Sequence, residues 1–280
     1  MPRLRFFYLV VLAIMALAAF APLVLAQEQA TYPRADGADI EARVLPAPGC
    51  APLAIISHGL GGNARGNAQL ASALNRAGYR VIVPSHAESG PRLLFGAMTE
   101  GRAGLARSAS DRRLLQLRLD DITAILESEN RRCAVPFRVL AGHSMGARTA
   151  SIEAGARTST GISGRDRFDA YVLVSPLGEG SSFLPRGGYG GITKPVLMVT
   201  GTRDQSVDGS WETRLSAFDG LAPGRKRLAI IEEAGHIALG GRDGRVGGMV
   251  GTLSVEFLRA IQPGPWRAAP KREGISFAEK

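Results

Sequence analysis

The sequence predicts an α/β protein, a mainly parallel, doubly wound sheet flanked by helices, and three observations carry that reading. Short apolar runs of strand length alternate with longer stretches of helical periodicity. The runs are continuously apolar rather than alternating, which is the pattern of strands covered on both faces. The chain has 280 residues, 45% of them hydrophobic and 21% charged, with 35 Gly, 16 Pro and 2 Cys. That length supports one core without a metal or cross-link, and the composition excludes a disordered chain, a disulfide-dense mini-protein, a collagen and a coiled coil.

Taken in order, the chain opens with Met1, Pro2, Arg3, Leu4 and Arg5, and residues 6–26 then carry no charge. A positive start, an apolar run and the small residues Val24 and Ala26 before Gln27 have the form of a secretory signal cleaved after Ala26. Pro22 and the polar Gln27-Glu28-Gln29 favour cleavage over an uncleaved anchor, and neither a lipid-attachment Cys nor a twin-arginine pair is present. The expectation is a signal peptide over 1–26 and one soluble domain over 27–280. That domain would be periplasmic or secreted, without a stable membrane anchor, and its formal charge falls from +9 to +7 with the loss of two Arg.

Residues 34–46 suggest an opening hairpin or edge strand. Apolar strand runs follow at 53–57, 79–84, 137–141, 170–175, 196–200 and 228–231, with helical stretches between them at 66–77, 114–127, 147–156, 211–218 and 250–260. In the second helix, Leu115, Leu119, Ile122 and Leu126 recur at three- and four-residue steps and form one apolar face. Strand, helix, strand in repetition gives the parallel sheet. Segments 88–110, 177–193 and 263–280 break the alternation and read as loops. The first is a possible small cap and the last a C-terminal tail, and the first two lie on the side where open α/β sheets take ligands.

Arg supplies 30 of the 34 basic residues, but they are spread along the chain rather than clustered with aromatics on one face. That distribution argues for a solvated basic surface and against a nucleic-acid partner. No metal is expected, because the four His are far apart and no paired Cys or H-E-x-x-H spacing occurs; no cofactor is expected, because no G-x-G-x-x-G follows a strand.

Gly142-His143-Ser144-Met145-Gly146 is a G-x-S-x-G sequence between an apolar run and a helical stretch. That strand, sharp turn, helix context would project the Ser144 hydroxyl at the carboxyl edge of the sheet, with glycines where strand and helix crowd. A nucleophilic Ser needs a base and an acid that orients it. Among His58, His86, His143 and His236, the last stands on a loop after the final strand run, where a base can reach over the sheet edge. The acid follows the preceding strand, as Asp204 or, in competition with it, Asp208. His58-Gly59-Leu60-Gly61-Gly62 leaves backbone N–H groups unshielded after the first central strand, so the N–H groups of Leu60 and Met145 are candidate oxyanion donors.

With those residues in this order the chain resembles the α/β-hydrolase superfamily. Within it, the likeness is to the chlorophyllase-like, platelet-activating-factor acetylhydrolase-like and dienelactone-hydrolase-like esterases, with the cutinase-like polyester hydrolases related. The resemblance spans about residues 53–261 and rests on 58–62, 142–146, 201–204 and 235–236. It implies Ser144 as nucleophile, Asp204 as acid, His236 as base, and Leu60 and Met145 as oxyanion donors. The sequence departs from true dienelactone hydrolases, which use Cys as nucleophile, and from the polyester hydrolases, which commonly place an aromatic where Leu177 follows Ser175-Pro176. The implied function is an exported serine esterase acting on a small-molecule or lipid-like ester without a cofactor. A non-catalytic binding homologue and a peptidase or amidase on the same triad are the alternatives. The family's strand order also puts the strands after Cys50 and Cys133 side by side, which, with export, implies a Cys50–Cys133 disulfide.

Overall fold

The computed structural model describes residues 27–280; the expected signal segment, 1–26, lies outside the described residues. Nine strands form one sheet: β1 (Glu28–Pro33), β2 (Asp39–Leu45), β3 (Leu53–Ser57), β4 (Arg80–Pro84), β5 (Arg138–His143), β6 (Ala170–Val174), β7 (Val196–Arg203), β8 (Lys226–Gly235) and β9 (Ile275–Glu279). Their order is β1-β2-β4-β3-β5-β6-β7-β8-β9. The six strands from β4 to β8 run parallel, and antiparallel pairs close both edges. The helices are α1 (Ala68–Arg76), α2 (Pro91–Thr99), α3 (Gly101–Ala109), α4 (Arg112–Arg132), α5 (Met145–Glu153), α6 (Glu212–Gly220) and α7 (Gly244–Ala260).

The continuous apolarity of the central strands has a direct cause. Successive side chains point to opposite faces of the sheet, and both faces are covered. Ile55, Leu140, Tyr171 and Met198 enter one core with Leu115, Leu119, Ile122 and Leu126 of α4. Ala54, Ile56, Val139, Val172 and Val199 enter the other with Leu70 and Leu74 of α1 and Val250, Leu253 and Phe257 of α7.

Four expectations need correction. The opening hairpin starts earlier, at Glu28, because β1 is a largely exposed edge strand whose polar sequence hides it. Segment 88–110 is not a loop: a 3₁₀ turn (Ala87–Ser89) leads into α2, with Pro91 in its first turn, and then into α3. In the 263–280 tail, Ile275–Glu279 forms β9 against β8. The Cys50–Cys133 disulfide is not formed: both thiols are free. The strands are neighbours, with Leu53 opposite Arg138. However, Cys133 ends α4 in extended backbone while Cys50 sits in an exposed turn, and the neighbouring Cys50 thiol pushes the Cys133 thiol up without a covalent bond between them.

The basic surplus is also less superficial than its spacing suggests. Arg34, Arg43, Arg118, Arg148, Arg214 and Arg227 are all buried, and every one except Arg43 has a carboxylate or a set of buried oxygens against its guanidinium.

Candidate active site

β5 ends in a turn that only glycine permits on either side of Ser144. A Cβ on Gly146 would stand 1.9 Å from the backbone oxygen of Ser57, and one on Gly142 would stand 2.2 Å from the carbonyl of Gly146. Ser144 itself holds φ 54 and ψ −116, a left-handed strain that a non-glycine residue adopts only when its surroundings impose it. Those surroundings are the bond from Ser144 N–H to Val174 O, at 3.0 Å, and the first turn of α5, where Arg148 N–H donates to Ser144 O at 3.0 Å. The result is a hydroxyl raised above the carboxyl edge of the sheet.

The structure brings Ser144, His236 and Asp204 together. Nε2 of His236 lies 3.0 Å from Oγ of Ser144, and Nδ1 lies 2.8 Å from Oδ1 of Asp204. His236 follows β8, and Asp204 follows β7 directly, with its N–H bonded to Gly201 O at 2.8 Å. Burial of Asp204 favours its neutral form. The His236 hydrogen bond, the Arg214 charge and a Ser175 hydroxyl outweigh that and hold its carboxyl down at about 2. Thr200 Oγ1 donates to its second oxygen at 2.8 Å. Ser175 Oγ also stands 2.9 Å from Nδ1 of His236.

The competing acid is engaged elsewhere: Asp208 accepts from Arg148 Nη2 at 2.8 Å. His143 does not bond the Ser144 hydroxyl; its ring packs 4.9 Å from that of His236, and its Nε2 donates to His236 O at 2.9 Å. Burial pushes the His143 imidazole down to about 3, so it is a neutral prop for the His236 backbone.

Leu60 lies on the same cleft as Ser144, and Met145 follows Ser144 in the chain. Met145 is the first residue of α5, where N–H groups have no intrahelical acceptor. Beyond β3, Gly61 N–H bonds Ser89 O and Gly62 N–H bonds Gly59 O, while the Leu60 N–H has no protein acceptor among the described residues. The two strands carrying these turns are direct neighbours, β3 and β5.

Ser144 and His236 border a cleft of about 540 Å³ whose walls include Leu60, Leu94, Leu105, Val207 and Ile237, with Arg102 and Arg242 also on it. The α2–α3 pair forms one side. A separate cleft of about 470 Å³, between α4 and residues 163–167, contains none of the reactive residues. Among the described residues no group of three or more His, Cys, Asp and Glu could hold a metal ion. A hydroxyl bonded to an imidazole that is bonded in turn to an ionised carboxylate is an arrangement for moving the hydroxyl proton.

Sequence reasoning missed Thr200, Ser175 and Arg214 around Asp204. Ser175 had a usable signal, since it closes the apolar run 170–175 ahead of Pro176, but Arg214 enters from α6 with nothing in its local sequence to mark it.

No protein-family model matches the sequence, and neither does any curated protein. Solved structures do resemble it. The esterase Pf2001 of Pyrococcus furiosus aligns with a TM-score of 0.59 at 14% identity, over 84% of this chain and 92% of its own. Est1E of Butyrivibrio proteoclasticus, in a structure with ferulic acid bound, aligns with a TM-score of 0.58 at 18% identity, over 82% and 100%. A dienelactone hydrolase of Anabaena variabilis aligns with a TM-score of 0.54 at 18% identity, over 84% and 97%. Sheet order, flanking helices and these likenesses together make this chain an α/β-hydrolase fold.

Proposed function

We propose that the protein is an exported serine hydrolase that cleaves carboxylic esters through an acyl-enzyme, without a cofactor. The observation that carries this reading is the unbroken relay from Ser144 Oγ through His236 to Asp204 beside an apolar cleft. His236 Nε2 takes the Ser144 proton as Oγ attacks the ester carbonyl. Asp204 keeps the other ring proton on Nδ1 and stabilises the imidazolium. The carbonyl oxygen, now negative, is held by the N–H groups of Leu60 and Met145. Collapse expels the alcohol, which receives the proton from His236. Water then attacks the acyl-enzyme by the same route and releases the acid.

The apolar walls favour a small-molecule or lipid-like ester over a charged polymer, in keeping with the ferulic acid found in Est1E. The charged start and the apolar run over 6–26 support export. Hydrolysis of p-nitrophenyl acetate and butyrate tests the reading: the wild-type protein is expected to turn both over and the Ser144→Ala variant neither. Turnover that survives in Ser144→Ala contradicts it.

A further inference from the structure

A second Ser–His–Asp set lies inside the protein. Ser57 Oγ is 3.0 Å from Nε2 of His86, and Nδ1 of His86 is 2.7 Å from Oδ2 of Asp121. All three residues are at most 1% exposed, so no substrate reaches them. What Ser57 touches instead is Arg118 of α4, also 1% exposed, whose Nη1 donates to Ser57 Oγ at 3.2 Å. Arg34 closes the far end of the chain on Asp121 at 2.9 Å.

The guanidinium of Arg118 is aimed at the turn that carries Leu60. Nη1 donates to His58 O, Nη2 reaches Gly59 O at 3.4 Å, and Nε donates to Ser89 Oγ at 2.8 Å. Ser89 in turn accepts the Gly61 N–H on its backbone oxygen at 2.9 Å. Both sides of Leu60 are therefore tied to one buried cation. Gly59 O has two further donors, the Gly62 N–H at 3.0 Å and the His58 ring. The backbone N–H of His86 bonds Nε2 of His58, which leaves the ring proton on Nδ1, 2.7 Å from Gly59 O.

In a trans peptide the carbonyl of Gly59 and the N–H of Leu60 point in opposite directions. Holding that carbonyl into the interior aims the N–H outward, toward the Ser144 side. A cationic donor on the carbonyl also draws electron density from the amide and makes its N–H a stronger donor.

We propose that Arg118 is the positioning residue of the oxyanion pocket: braced from behind by Ser57, His86 and Asp121, it locks the His58–Gly59 carbonyls inward and so orients and polarises the Leu60 N–H. This rests on the esterase reading above. Since the Leu60 bond strengthens only as the carbonyl oxygen gains charge, the effect falls on kcat and on transition-state mimics rather than on KM.

The test measures p-nitrophenyl acetate kinetics and the Ki of an aryl trifluoromethyl ketone, whose hemiketal oxygen occupies the same pocket. Active sites are counted by fluorophosphonate labelling run to completion. Arg118→Met is expected to lower kcat per labelled site roughly tenfold to a hundredfold with KM little changed, and to raise the ketone Ki by the same factor. Arg118→Lys recovers part of the loss. Ser57→Ala, which removes one brace and little volume, shifts both quantities in the same direction by about two- to tenfold.

A lower labelled fraction or Tm with unchanged kcat per site and Ki overturns the proposal, because Arg118 then serves the fold alone. If Arg118→Met does not fold, unchanged values in Ser57→Ala overturn it equally. A wild-type protein that neither hydrolyses the ester nor takes the label removes the esterase reading itself, and the proposal with it.

Discussion

Nε of Arg214 stands 3.7 Å from Oδ2 of Asp204, and both side chains are enclosed, at 1% and 0% exposure. Among the described residues the guanidinium's hydrogen bonds go to neutral oxygens, Thr213 Oγ1 and Ser206 Oγ. Its charge is therefore directed at Asp204. Burial alone would raise that carboxyl; the His236 hydrogen bond and the Arg214 charge bring it instead to about 2.

A stability dependence on pH follows from that balance. The folded-state value lies below the ordinary 3.8 of the unfolded chain, so ionised Asp204 stabilises the fold above about pH 4, and this is lost as pH falls toward 2. The contribution is about 2 kcal/mol. Arg214→Met removes one of the lowering causes, so the variant is expected to be less stable at pH 7 and to lose less on acidification from pH 4 to pH 2. Urea unfolding across that range measures both, and parallel curves for the two proteins would contradict the coupling.

The two aspartates after β7 are expected to separate in opposite ways. Asp204→Asn leaves His236 free to take the wrong tautomer, and kcat should fall by roughly three to four orders of magnitude. Asp208→Asn should leave kcat little changed but lower Tm, because it strands the buried Arg148 guanidinium. Steady-state kinetics with thermal unfolding of both variants decides the matter; the reverse ranking would reassign the acid.

The turn around Ser144 allows no added methyl group on the helix side. Gly146→Ala would drive a Cβ to 1.9 Å from Ser57 O, which is backbone and cannot swing aside. A loss of about 3 kcal/mol or more is expected, as for overpacked cores. Gly248→Ala is the control. It lies within α7 with nothing within 4 Å of the added carbon, and should stabilise by about 0.5–1 kcal/mol through helix propensity. Equal effects of the two substitutions on urea midpoints would show that the close approach has no energetic weight.

How much of this was legible beforehand depended on whether the signal was local. The six parallel strands were readable because burial on both faces makes their sequences continuously apolar. The edge strands were not: β1 and β9 each bury a single residue fully, and their polar faces look like loop. α2 was obscured by Gly90, Gly96 and Gly101 and by a surface left largely open, where Phe95 and Met98 are 76% and 59% exposed. Ser144, Asp204 and His236 stood out because each sits just past an apolar run, and the structure brings their side chains into contact. Arg118 had no such mark. It lies on the same helix as the apolar face of α4, and its partners come from the ends of β3 and β4 across 29 to 61 residues of chain.

The most direct measurement is the mass and map of the protein after reaction with a fluorophosphonate. Three serines here, Ser144, Ser175 and Ser57, each contact a histidine backed by an aspartate, but of these only Ser144 borders the cleft. One adduct per chain is expected, on the peptide carrying Ser144, with loss of ester turnover in proportion and no adduct in His236→Ala or Ser144→Ala. A wild-type protein that stays unlabelled, or one labelled elsewhere while Ser144 remains free, would contradict the assignment of Ser144 as the reacting hydroxyl.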